Sequence, residues 1–102
     1  DAQRFWNRLL SLKPDDVQAR QQLSMCLFRQ EEYAAAVDEL HKVLDLEPDN
    51  AYALFNLGIL HMYYLDNREK GRAYFHQVID SPHAGSELKE KAQEQIQNSN
   101  GG

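Results

Sequence analysis

The chain has 102 residues, enough for one small domain and little more. Hydrophobic residues make up 42% and charged residues 26%, and no apolar run approaches the roughly 20 residues that span a bilayer, so neither a disordered tail nor a membrane-embedded chain is expected. A formal net charge of −5 has the wrong sign for general affinity to nucleic acid or anionic lipid, and one cysteine excludes a disulfide framework and a cysteine-based zinc site.

Glycine and proline are scarce, and Leu, Ala, Gln and Glu are abundant, with Arg, as in helices. The first predicted helix covers 2–12 and ends before Pro14, which cannot continue a helical hydrogen-bond ladder. Its Trp6, Leu9 and Leu10 are expected to pack on the next helix, with Phe5 directed away. The second spans 17–29, with Asp16 placed to cap its free amides. Val17, Leu23, Ser24 and Leu27 form its core stripe, and Met25 and Phe28 fall on a neighbouring face. Cys26 beside them reads as a buried, inert thiol. A short polar break, Arg29-Gln30-Glu31-Glu32-Tyr33, leads to a helix over 33–46 carrying Val37, Leu40, Val43 and Leu44.

After Pro48, with Asn50 as cap, a helix is predicted over 51–64. Leu54, Leu57, Gly58 and His61 account for its core stripe, leaving Phe55, Ile59, Met62 and Tyr63 for a second side that is at least partly exposed. A helix over 68–80 follows with Gly71, Phe75, Val78 and Ile79, and then Pro82. The last predicted helix, 86–97, has an apolar stripe of Leu88, Ala92 and Ile96; Glu87, Lys89, Glu90, Lys91 and Glu94 cover the rest, as a terminal capping helix requires. Residues 98–102 are expected to be disordered.

The elements repeat. Pro14, Pro48 and Pro82 are each 34 residues apart, and Leu-Lys-Pro-Asp-Asp at 12–16 returns as Leu-Glu-Pro-Asp-Asn at 46–50. Upstream, Ala2, Trp6, Leu9, Leu10 and Leu12 recur as Ala36, Leu40, Val43, Leu44 and Leu46; downstream, Ala19, Leu23 and Ser24 recur as Ala53, Leu57 and Gly58. In the later unit Gly71, Phe75, Val78 and Ile79 align with Ala36, Leu40, Val43 and Leu44 at 35, which places one extra residue around 63–67 and one missing before Pro82. Ser24, Ala36, Gly58 and Gly71 are expected where the two helices of a hairpin approach closely.

Period and pattern together resemble the tetratricopeptide repeat, with Leu23-Ser24 and Leu57-Gly58 at its Leu-Gly pair, Ala36 at its small alanine, Leu40 and Phe75 at its Phe, and Pro48 at its terminal Pro. The resemblance implies an all-α, right-handed α-α superhelix of antiparallel helix hairpins over 1–97: a half-repeat at 1–14, repeats at 17–50 and 51–84, and a cap at 86–97. It further implies a concave groove lined by Met25, Phe28 and Arg29 with Gln18 and Gln21, and by Tyr52, Phe55, Asn56, Ile59, Met62 and Tyr63. The carboxylate-gripping clusters of some family members are matched only at Asn56; the other aligned positions are Gln21, Met25, Ser86 and Glu90.

Chemistry is sparse. His41, His61, His76 and His83 share no short metal-ligand spacing, and His61 reads as a core histidine within reach of Phe75 or His76. Asp15-Asp16 and Glu31-Glu32 are explained by capping and solvation, and no Gly-rich phosphate loop or nucleophile elbow is present. The expectation is a soluble, non-catalytic protein-interaction module, with no cofactor, metal, nucleic acid or membrane insertion, that binds a protein or peptide in the groove. A homo-oligomer built on the open N-terminal half-repeat is the alternative, and a metal or hydrolytic site around His61 and His76 is a distant third. Asp1 is not an initiator, so an excised piece of a longer chain is expected, and either a cytoplasmic or a periplasmic location suits it.

Overall fold

The computed structural model describes residues 1–101, with side-chain burial described through residue 99. Among these residues every regular element is helical: α1 (Ala2–Leu12), α2 (Val17–Arg29), α3 (Tyr33–Leu46), α4 (Ala51–Ile59) running into a π-helical turn (Leu60–Tyr64), α5 (Arg68–Asp80) and α6 (Ser86–Gly101). They form two compact units, Asp1–Pro48 and Asp49–Gly102.

In the first unit α1 packs on α2 and α2 on α3. The helices start where side-chain acceptors meet free amides. Ala19 N donates to Asp16 Oδ1 at 3.0 Å, and Arg4 N donates to Asp1 Oδ1 at 2.8 Å. Leu23, Leu27, Ala36, Leu40 and Val43 fill the core. Glu39 is buried at its edge because Arg20 Nη1 donates to Glu39 Oε2 at 2.9 Å and Lys42 Nζ donates to Glu39 Oε1 at 3.1 Å. Ser24, also buried, donates its hydroxyl to Gln21 O at 2.7 Å, so a small polar residue is tolerated at the helix contact.

Helix α2 ends in a left-handed cap. Glu31 has φ 62°, Glu31 N donates to Phe28 O at 2.9 Å, and Glu32 N donates to Leu27 O at 2.9 Å. This conformation favours glycine, and a glutamate side chain there is strained. Replacing Glu31 with Gly is expected to raise unit stability by about 0.5–1 kcal/mol, read as a higher urea midpoint with an unchanged slope.

The second unit packs α4 on α5 and α5 on α6, around Leu54, Leu57, Phe75, Val78, Ala92 and Ile96. Asn50 and Asn67 cap α4 and α5, accepting from Ala53 N at 2.9 Å and Lys70 N at 3.1 Å. The small residues expected at the close approach are found there. A Cβ on Gly58 would lie 2.8 Å from the Phe75 ring, and one on Gly71 would lie 2.7 Å from Met62 Cβ and 2.9 Å from Gly58 O.

The extra residue of this repeat is accommodated inside the helix. Gln30 N donates to Cys26 O four residues back, whereas its counterpart Leu65 N reaches five residues back to Leu60 O. Likewise Glu32 N spans five residues to Leu27 O, and Asn67 N spans six to His61 O. The acceptors keep the 34-residue spacing and the donors the 35-residue spacing, so the insertion lies between them and is taken up as a π bulge. The helix predicted over 51–64 is therefore α-helical only to Ile59. Asp66 (φ 53°) then takes the left-handed position held by Glu31 in the first hairpin.

At the C-terminus α6 runs to Gly101, past the boundary expected at residue 97, so residues 98–101 continue the helix where a disordered tail was predicted. The helix is anchored by buried Ala92 and Ile96, and Ser99 Oγ donates to Ile96 O at 2.8 Å. Gly102 lies outside the described residues.

Candidate functional site

The residues expected to line a groove fall in both units. In the first, Met25 and Arg29 are exposed on α2, and Phe28 is half-buried with its ring tilted against Tyr33 at 5.8 Å.

In the second unit, Tyr52, Asn56, Ile59 and Tyr63 recur at helical steps along α4 and the π turn. Tyr52 is 65% exposed and Tyr63 52%, while Asn56 and Ile59 are half-buried. Phe55 is also half-buried and meets Phe75 edge-on at 5.3 Å, which joins this face to the core.

Met62 departs from expectation. The helical spacing puts it with Phe55, Ile59 and Tyr63 on the partly exposed side, yet it is only 6% exposed. Leu60, His61 and Met62 are all buried, because the π bulge turns three successive residues inward where an α-helix of this kind would bury two. Met62 packs on Gly71 and belongs to the core.

One residue of this face escaped sequence reasoning. Tyr63 donates its hydroxyl to Gln95 Oε1 on α6, so the face includes an amide from an element 32 residues away. Gln95 stands in the 34-residue register of Leu27 and His61, but that register does not signal a partnership with Tyr63. On α6, Lys91 and Glu87 precede it by one and two turns and pair with each other, Lys91 Nζ to Glu87 Oε1 at 3.5 Å.

His61 is buried and stacks on Tyr74 at 5.6 Å, and His76 is exposed. Burial raises the pKa of the Tyr74 hydroxyl above its ordinary value. Cys26 is buried beside Leu27. Ser81, His83 and Asp49 come together before α6, but not as a nucleophile and base. Ser81 Oγ donates to Asp49 O at 3.5 Å and accepts from His83 N at 3.2 Å, while His83 Nε2 lies 3.9 Å from Asp49 Oδ2. These contacts fix the turn around Pro82. Among the described residues no three of His, Cys, Asp and Glu are placed to hold a metal ion, and no helix is long and apolar enough to cross a membrane.

A chain of helix hairpins on a period of 34 residues, with small residues where the helices cross, is a helical-repeat protein. Comparison with known proteins gives the family. The TPR repeat matches residues 27–62 and the tetratricopeptide repeat matches residues 52–84. The chain belongs to the tetratricopeptide-repeat family, and its fold class is the all-α fold of that family's solenoids. Among solved structures it is similar to YrrB, described as a TPR protein with an unusual peptide-binding site: 27% identity, TM-score 0.78, covering 89% of this chain and 46% of that one. The chain thus spans about half the length of that relative. No curated protein matches it. Tetratricopeptide repeats are, in general, protein-interaction modules, and this chain carries a module of that type.

Proposed function

We propose that the chain is a non-catalytic interaction module that binds a peptide or helical segment of a partner, and that in the second unit the segment lies along Tyr52, Phe55, Asn56, Ile59 and Tyr63. The observation that carries this reading is the exposed aromatic line on a helix whose opposite side is already committed to the core. Tyrosine, with a large apolar ring and a polar tip, is a favoured anchor at binding surfaces. In the first unit the proposed contacts are Met25, Phe28 and Arg29. Met62 is omitted because a partner could not reach it. The peptide-binding site of YrrB lends support by analogy.

A test is selection from a random dodecapeptide display library. Enriched peptides are expected to bind the wild type, and Tyr63→Ala is expected to weaken them by about 5–20-fold, a loss typical of an interface anchor. Far-UV circular dichroism should show unchanged helicity. Affinity indifferent to Tyr63→Ala, Tyr52→Ala and Ile59→Glu would move binding to another face.

Exposure of Phe5 (60%) and Leu12 (77%) on α1 supports a second reading, self-association through that helix. Light scattering over a concentration series decides it: a dimer mass abolished by Phe5→Asp would establish self-association, and a constant monomer mass would remove it.

A further inference from the structure

We propose that the tyrosine face of α4 and the π turn takes an extended, uncharged, proline-rich segment in polyproline II conformation; this rests on the reading of that face as a peptide-binding surface. Three observations choose this occupant over a helix or a charged tail.

The first is charge. Residues 51–65 contain no Asp, Glu, Lys or Arg, in a chain where 26% of residues are charged. On α6, Lys91 one turn before Gln95 is paired with Glu87, and the other charges close to Gln95, Glu90 and Glu94, are acidic. A charged partner would lose hydration along residues 51–65 without finding a counter-charge there, so the complementary ligand for this stretch is uncharged.

The second is the supply of hydrogen-bond donors. A helical ligand satisfies its own backbone and needs only an apolar ridge. An extended segment brings unpaired carbonyls, and a proline-rich one brings carbonyls with few N–H groups. The face offers matching donors in the Tyr52 hydroxyl and the Asn56 amide. Because the Tyr63 hydroxyl donates to Gln95 Oε1, the Gln95 amide is held with its Nε2 group as a third.

The third is the shape of the apolar contacts. Tyr52 and Tyr63 stand out from one side of the helix at 65% and 52% exposure, with half-buried Ile59 between them. Projecting rings separated by a shallow step are the surface on which a polyproline helix seats its pyrrolidine rings. The π bulge sits under Tyr63, and such bulges recur at functional sites.

Amide chemical-shift titration of the full chain tests this with two probes, end-blocked decaproline and an end-blocked Leu/Lys amphipathic helix. Decaproline should perturb residues 52–64 and Gln95, with an affinity that changes less than about twofold between ~50 and ~500 mM NaCl. Tyr63→Ala should weaken it by about fivefold or more, and Tyr63→Phe, which loses only the hold on Gln95, by about two- to threefold. The proposal is overturned if decaproline gives no shifts at about millimolar concentration, shifts elsewhere, or equal affinity for Tyr63→Ala. Binding of the amphipathic helix alone on residues 52–64 would likewise overturn it, while leaving the peptide-binding reading intact.

Discussion

Phe75→Ala is expected to lower stability by about 3–5 kcal/mol, as removal of a large buried aromatic side chain does when its surroundings cannot collapse. Phe75 has no solvent exposure and is the largest of the fully buried side chains. Its ring lies where a Cβ on Gly58 would fall and meets Phe55 at 5.3 Å, so it fills the crossing of α4 and α5 and supports the tyrosine face from beneath. A chain of this size has about 5–15 kcal/mol in hand, so the loss takes a large share of it. Urea unfolding followed by circular dichroism measures the change, and hydrogen exchange should show protection lost first in α4, α5 and α6. Phe75→Leu should be milder, and in combination with Gly58→Ala it should show a favourable coupling, because the smaller side chain vacates the space the new methyl group needs. Strict additivity of that pair would contradict the ring contact.

Pro14, Pro48 and Pro82 set the period, and Asp16 and Asn50 mark helix starts that the structure reproduces with hydrogen bonds of 3.0 and 2.9 Å. These signals are local and depend on backbone chemistry that neighbours do not alter. The outward position of Tyr63 was legible from helical spacing, which separates it from Leu54 and Leu57, whereas that of Tyr52 came from the family resemblance.

The π turn was only half legible. Alignment showed that one residue was extra, but residues 62–65 are all large and apolar or aromatic, with no glycine or proline to assign that residue to a loop. Once it entered the helix it changed which side chains face inward, and Met62 moved to the core. Gln95 keeps the 34-residue register of Leu27 and His61, yet its partnership with Tyr63 was illegible because it joins separate helices and has no counterpart in the preceding hairpin's sequence. The extent of α6 was misjudged because polar residues 97–100 carry no stop signal beyond their composition, while a helix anchored at Ile96 propagates at little expense.

Gly71→Ala is expected to destabilise the second unit by about 1–3 kcal/mol, and the sign is the informative part. Helix propensity alone predicts the opposite, since alanine is favoured over glycine in a helix interior by about 1 kcal/mol. At Gly71 the new Cβ would lie 2.7 Å from Met62 Cβ and 2.9 Å from both Met62 N and Gly58 O. Two of these three neighbours are backbone atoms, so relief requires the helices to separate rather than a side chain to turn. In the first hairpin Ala36 occupies the corresponding place with no exposure and lies opposite an ordinary α-helical turn. The difference follows from the π bulge, which carries Met62 toward α5 and leaves room there only for hydrogen. Deletion of Tyr64 restores the 13-residue length of α2, so it should reduce the penalty of Gly71→Ala even if the deletion itself lowers stability. A four-variant thermal melt series reads this coupling. Stabilisation by Gly71→Ala alone would mean that α4 and α5 stand farther apart than the Gly71 contacts require.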